Sequence, residues 1–319
     1  MKKKILITGA FGYLGGRIAQ HLGRDPGVFL YLGSRSAARE VPEWITRGKA
    51  VQTDFLHASS LQDVCREIDI VIHLAAPNEI QSASHPEDAI EMNGCGTMRL
   101  LDAAGTNSVS RFIYLSTIHV YGSPLAGTIT EERLPRPSHP YSIAHRLAED
   151  LVLAAHDRRV LTGIVLRLSN SFGAPLRPDV DRWTLVVNDL CRQAVTTRTL
   201  VLKTPGTQKR DFITLEDAAR AVAHMAQVPS GQCEDGLFNL GGEFSLSIRD
   251  MAGLIARRCS AVFGFVPEIK HPVISSGDVA EEIDYRIDRL KGTGFSLLKN
   301  IDEEIDATLQ FCSVHFPPA

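Results

Sequence analysis

The chain contains no apolar run of the ~20 residues that cross a bilayer, no surplus of either charge, and no closely spaced cysteines. The first absence argues against a membrane partner. The second excludes a strongly basic surface: Lys and Arg number 34 against 37 Asp and Glu, a formal net charge of -3. Nothing there grips a phosphate backbone, so nucleic acid is not an expected partner. The third leaves no zinc-ligand spacing: the six cysteines stand apart at 65, 95, 191, 233, 259 and 312, so no metal site is expected. Scattered thiols fit a reducing, cytoplasmic setting. Internal repeats and low-complexity tracts are also missing. Residues 1–4, Met-Lys-Lys-Lys, and the apolar stretch after them have the outline of a secretory leader. Thr8, Gly9 and Gly12 break that stretch and no small-residue cleavage site follows, so it reads as a first strand.

What is present is alternation. Ile5–Thr8, Val28–Leu32, Ile70–Leu74, Phe112–Ser116 and Ile164–Leu168 read as buried parallel strands. Helical spacing fills the stretches between them, at Leu14–Leu22, Ala89–Ala104 and Tyr141–Ala155. Strand–helix alternation of this kind predicts an α/β fold, a Rossmann-type doubly wound parallel sheet. After residue 168 the pattern loosens around Pro175, Pro178, Pro205 and Pro229, with helical pieces at 183–195, 215–227, 247–260 and 300–310. This predicts a dinucleotide-binding domain over 1–168, to which 211–240 also returns, and a smaller mixed C-terminal lobe over 169–319 for the substrate.

The first strand runs into Gly9-Ala10-Phe11-Gly12-Tyr13-Leu14-Gly15, a GxxGxxG opening a helix. Glycines let the backbone turn tightly and admit a pyrophosphate, and the helix N-terminus supplies free N–H groups and a positive dipole end. At the first strand-to-helix junction of an α/β chain the pattern predicts a dinucleotide site at Gly9, Phe11, Gly12, Tyr13, Leu14 and Gly15. The second strand ends in Gly33-Ser34-Arg35, with no acid to bond a ribose 2′-hydroxyl. Ser34 and Arg35 suit a 2′-phosphate, which favours NADP and leaves NAD possible; a solvated surface cation is the competing reading of Arg35.

Further motifs follow in order: His73-Leu74-Ala75-Ala76, Asn93-Gly94-Cys95-Gly96-Thr97, Ser116-Thr117-Ile118-His119, Pro140-Tyr141-Ser142-Ile143-Ala144-His145, Arg167-Leu168-Ser169-Asn170, Arg210-Asp211-Phe212-Ile213 and Phe238-Asn239-Leu240-Gly241. Through most of its length the chain resembles the extended short-chain dehydrogenases/reductases, a family of nucleotide-sugar epimerases, dehydratases and reductases. The resemblance implies that Thr117 bonds the reacting carbonyl or alcohol and that Tyr141 is the acid/base. The family places a lysine four residues after the tyrosine, on the same helix face, where its charge favours the phenolate. Here that residue is His145. Imidazole can still bond the nicotinamide ribose, but it is charged only below about pH 6.5 unless something raises its pKa.

By the same resemblance Asp54, Phe55, Leu74, Ala75, Ala76 and Asn93, and Tyr141 and His145 themselves, join the cofactor site, with a turn or helix-cap role as the competing reading of Asp54. Ser116, His119, Asn170, Arg210 and Arg286 face a sugar or nucleotide-sugar substrate. The family's arginine before a late Gly-Asp pair has no counterpart in Ile274-Ser275-Ser276-Gly277-Asp278. The family's 4,6-dehydratases carry Asp-Glu after the Ser-Thr. Ile118 and His119 stand there instead, which argues against dehydration. Reduction of a keto-sugar is the preferred expectation, epimerisation the second, and a catalytically silent dinucleotide sensor the third. A homodimer is expected through helices 88–105 and 141–158, using Ile90, Thr97, Leu101 and Ala104 on one, and Ala144, Leu147, Ala148, Leu151 and Ala155 on the other.

Overall fold

Aliphatic runs too short for buried helices assemble, in a computed structural model that describes residues 2–36, 39–273 and 281–316, into one parallel sheet of seven strands. Its spatial order is Leu237–Leu240, Thr162–Leu168, Arg111–Thr117, Ile70–His73, Lys3–Thr8, Val28–Ser34, Gly48–Gln52. All neighbours in this sheet are parallel. The five strands expected from apolar runs are all in it. Gly48–Gln52 is an edge strand whose residues are mostly half-buried, so no apolar run marks it.

Helices cover both faces. On one side Tyr13–Gly23 packs against Leu215–Met225. Ile18, Ala19, Ala218 and Val222 there meet Ile5, Ile7, Ile72 and Ile113 from the sheet. On the other side Ala58–Cys65, Thr97–Thr106 and Pro140–Asp157 bury Leu61, Leu101, Ala148 and Val152 against Leu6, Val71, Phe112 and Val165. Strand order reverses between Lys3–Thr8 and Ile70–His73. At that switch point the loops at the strands' carboxyl ends diverge and leave a crevice, the usual ligand position in such sheets.

The rest of the chain builds a second core of Phe172, Trp183, Leu190, Phe212, Met251, Ile255 and Leu309, carried by helices Val186–Thr196, Ile248–Phe263 and Ile301–His315, by a three-stranded sheet and by a two-stranded one. Strand Leu237–Leu240 leaves this region and joins the large sheet beside Thr162–Leu168. The two cores are tied together. Arg17 makes a bidentate pair with buried Glu304 at 2.6 and 3.0 Å, and Tyr13 donates to the Gly173 carbonyl at 2.9 Å. The helical stretch expected at Ala89–Ala104 has an internal π segment, Glu91–Gly96, between Pro86–Ile90 and Thr97–Thr106.

Candidate active site

The glycine turn lies at the switch point. Gly9 has φ +69°, and a Cβ there would sit 3.2 Å from the Ala75 backbone nitrogen. A Cβ on Gly15 would lie 2.1 Å from the Gly9 carbonyl oxygen, so only glycine lets the helix start this close to the strand. The Gly12 N–H closes the turn on Gly9 O at 2.9 Å. The facing His73–Ala75 segment is fixed by Thr8, whose Oγ1 accepts from the Leu74 and Ala75 N–H groups at 3.1 and 3.2 Å. With both lone pairs used, the Thr8 hydroxyl donates to His73 Nδ1 at 2.7 Å, so His73 carries its proton on Nε2 and donates to Thr97 at 3.0 Å. Leu74, Ala75 and Ala76 thus border the turn as expected, each half-buried. Phe11 is half-buried too, with the Arg39 guanidinium 5.4 Å from its ring centroid. Leu14 packs on the core.

The three residues expected to be catalytic converge. Thr117 ends its strand, and its hydroxyl bonds the Tyr141 phenol and accepts the His119 N–H at 3.2 Å. Tyr141 opens the helix Pro140–Asp157, with Pro140 at the first turn and His139 Nδ1 accepting the Tyr141 N–H. One turn on, the His145 ring stands 4.4 Å from the Tyr141 ring, edge to face. His145 is buried, and its Nδ1 lies 2.7 Å from the hydroxyl of buried Tyr114. Desolvation, then His73, His119 and Arg182, pushes the His145 pKa down to about 3, so the imidazole is neutral at physiological pH. Burial likewise takes His73 down to about 3. Desolvation first and Glu79 second raise the Tyr141 pKa; Arg182 and Thr117 oppose them.

Two buried polar groups lack partners among the described residues: His145 Nε2 and, on the π segment packed against the Tyr141 helix, the whole side-chain amide of Asn93. Leaving such groups unmet costs about 1–3 kcal/mol each. Together with the glycine cradle they fit a dinucleotide whose ribose and carboxamide would supply hydrogen-bonding partners.

Several expected site residues lie elsewhere. Tyr13 points its side chain away from the turn, into the seam with the second core. There it bonds Gly173 and Asn188. Phe55 is buried core, packed 5.3 Å from the His73 ring. The Asp54 carboxylate accepts the Leu56 N–H at 3.0 Å and bonds His57 at 2.8 Å, which is the turn role. Ser116 alternates to the strand face opposite Thr117 and gives its hydroxyl to buried Glu149. Exposed Arg286 pairs with Asp284 at 2.7 Å. The Ile274–Asp278 segment lies outside the described residues.

On the substrate side, Asn170 donates to the Asp211 carbonyl at 2.9 Å. Half-buried Arg210 makes no ion pair among the described residues. Its side chain hydrogen-bonds Gln208 at 3.3 Å, and the Asp211 carboxylate is taken by the Gly242 and Phe244 N–H groups. Desolvation and Arg210 hold the His119 pKa low, with Glu79 and His139 nearby. Sequence reasoning missed Tyr114 and the Glu79–Arg182 pair, 3.1 Å apart. At the adenosine end, Arg35 is exposed, makes no ion pair among the described residues, and uses its carbonyl to accept from Gln52. The Ser34 hydroxyl accepts the Ser36 N–H.

The expected dimer stripe is corrected in part. Thr97, Leu101, Ala104, Ala144 and Ala148 are buried within the fold, while Ile90 and Leu147 are exposed alongside Met98 and Ile143. Leu151 and Ala155 are half-buried. None of the helices is long and apolar enough to cross a membrane among the described residues.

Comparison with known proteins agrees with this geometry. A dTDP-glucose 4,6-dehydratase of Streptomyces antibioticus is 27% identical over 304 residues, 88% of this chain and 87% of that protein. A UDP-glucose 4-epimerase of Streptomyces lividans is 29% identical over 314 residues, 91% and 93% of the two chains. Among solved structures, MoeE5 in complex with UDP-glucose and NAD superposes with a TM-score of 0.76 at 26% identity, covering 97% of this chain and 98% of that one. Residues 5–241 match the family described as NAD dependent epimerase/dehydratase. The glycine turn, the Thr117–Tyr141 pair and these matches across most of the chain place it in that family, whose members are nicotinamide-dependent nucleotide-sugar enzymes of the extended short-chain dehydrogenase/reductase type.

Proposed function

We propose that the chain reduces a keto-sugar, most simply a 4-keto-6-deoxy nucleotide sugar, with NADPH. One observation carries the direction: the residue one turn on from Tyr141 is the His145 ring, 4.4 Å away, and burial favours the Tyr141 phenol over its phenolate. No lysine stands at the i+4 position, the imidazole there is neutral, and the Tyr141 pKa is raised. A phenol in that state is a proton donor. Reduction of a carbonyl needs a proton on oxygen as hydride arrives, whereas an epimerase must first take a proton from a sugar hydroxyl. Thr117 would hold the carbonyl oxygen against Tyr141, and His145 Nε2 and Asn93 would bond the nicotinamide half of the cofactor. The nicotinamide, when bound, supplies the hydride.

Arg35, without an acidic partner among the described residues, supports NADP over NAD, and the absence of an acid at the tip of the second strand points the same way. Arg210, desolvated and without a carboxylate partner among the described residues, supports a pairing with a sugar-nucleotide phosphate. Ile118 and His119 leave no carboxylate pair for a 4,6-elimination. We assign cofactor binding to 1–168 with the returning 211–240, and substrate binding to the rest of 169–319. Ile90, Met98, Ile143 and Leu147 form an outward apolar set that suits a homodimer, and the scattered unbridged thiols suit a cytoplasmic protein. Epimerisation is the second reading, supported by the UDP-glucose 4-epimerase relative.

The test is a panel of keto-sugars with NADPH, followed by absorbance of the reduced nicotinamide and by product analysis. One NADPH oxidised per sugar reduced supports the reductase; sugar inversion without net change in the cofactor overturns it in favour of the epimerase.

A further inference from the structure

The phenol of Tyr114 has a single donor proton and a single partner among the described residues, Nδ1 of His145 at 2.7 Å. Both side chains are buried, at 1% and 4% exposure, so an O–H without an acceptor would go uncompensated. If His145 carried its proton on Nδ1, two donors would face each other across this contact, or the Tyr114 O–H would turn away to no acceptor. Both arrangements are costly. The Tyr114 O–H therefore donates to Nδ1, and the imidazole proton sits on Nε2. Nε2 is the atom with no partner among the described residues. His73 makes no hydrogen bond to His145: both of its nitrogens are spent on Thr8 and Thr97.

We infer that Tyr114 locks His145 in the Nε2–H tautomer, so that His145 meets the bound dinucleotide as a neutral hydrogen-bond donor. Tyr114 is then a positioning residue: it sits one layer behind the site and acts through His145. The device explains how a neutral ring can stand where related enzymes use a lysine. A lysine presents N–H donors whatever surrounds it, but a neutral imidazole has one donor and one acceptor, and something must choose between them. The inference deepens the proposed function and rests on His145 facing the cofactor.

Two measurements test it. The first uses the cofactor-free chain with 15N-labelled histidine, the His145 ring signals being identified by their loss in His145→Lys. The expected result is a protonated Nε2 and an unprotonated, hydrogen-bonded Nδ1; in Tyr114→Phe the ring should become a mixture of tautomers. A protonated Nδ1 in the wild type would overturn the inference, as would a Tyr114→Phe ring that keeps the wild-type tautomer. The second is NADPH affinity in a double-mutant cycle. Tyr114→Phe should weaken binding about five- to tenfold in the wild-type background, the worth of one neutral hydrogen bond. It should have less than about a twofold effect in His145→Lys, which needs no tautomer lock. Equal losses in both backgrounds would mean a merely structural Tyr114. Failure of the wild-type chain to bind NADPH or NADH would overturn the cofactor reading instead, and the spectrum of the cofactor-free chain separates that failure from a wrong tautomer.

Discussion

Replacing Glu149 by Gln removes one negative charge from the point where the Tyr141 helix is fastened to the sheet. Glu149 lies two turns after Tyr141 and is fully buried. Its Oε1 accepts from Ser116 and from Arg167 Nε at 3.0 Å. Its Oε2 accepts from Arg167 Nη2 at 2.7 Å and from Arg146 at 3.1 Å. Arg167 is also fully buried, with its guanidinium 4.6 Å from the Tyr121 ring centroid. A glutamine keeps one oxygen and turns an NH2 group against donors on Arg167, Arg146 or Ser116. Breaking a buried pair by removing one partner costs about 3–5 kcal/mol; with one acceptor kept, the low end, about 3 kcal/mol, applies. For a chain of this size that lowers Tm by about 4–5 °C. Urea and thermal unfolding of the variant measure it directly. Arg146→Ala, which removes only the half-exposed partner, should cost no more than about 1 kcal/mol. The double replacement Glu149→Gln/Arg167→Gln should recover part of the loss, because no unpaired cation stays buried. A Glu149→Gln loss below about 1 kcal/mol, or a double variant weaker than the single by the full cost of both, would refute the reasoning.

Gly15→Ala puts a methyl group 2.1 Å from the Gly9 carbonyl; the forced backbone shift, costing about 1–3 kcal/mol, should lower NADPH affinity about ten- to a hundredfold in a fluorescence titration. His73 and His145 both titrate near 3 in the fold and near 6.5 when unfolded. The unfolded chain thus binds more protons between these values, and their contribution to stability is present above pH 6.5 and lost as pH falls toward 3. Each should remove about 1.4 kcal/mol per pH unit near pH 5, and His73→Asn should cut the slope by about that amount in denaturation midpoints at pH 6 and 5. Arg35→Ala should weaken NADPH by about one to two decades and leave NADH unchanged; equal effects on both would remove the 2′-phosphate role. Ile143→Glu, at a 43% exposed position, should shift light scattering from dimer to monomer mass without altering the fold.

The strands that the apolar runs announce are those buried on both faces by helices. Gly48–Gln52 escapes such reading because an edge strand with half-exposed residues needs no apolar run. Thr117, Tyr141 and His145 are legible because a strand end and a helix start place them by local rules. Ser116 is misread for a related reason: strand alternation turns it to the face opposite its neighbour Thr117, toward Glu149. Tyr13 and Arg286 turn on contacts with Gly173, 160 positions away, and with Asp284, which motif spacing does not carry. Tyr114 looks like one more core aromatic in a strand until the fold sets its hydroxyl against a ring 31 positions on. The dimer stripe shows the same limit: helical spacing finds the apolar face, but in Thr97, Leu101 and Ala104 that face is spent on the sheet.

Central to the account is a protonated Tyr141 that hands its proton to a carbonyl while NADPH is consumed. Steady-state NADPH oxidation with a 4-keto-6-deoxy nucleotide sugar, compared between wild type and Tyr141→Phe at equal cofactor occupancy, tests it most directly. The account predicts stoichiometric oxidation by the wild type and a loss of about a hundred- to ten-thousandfold in the variant. A Tyr141→Phe chain that turns over at the wild-type rate would contradict it.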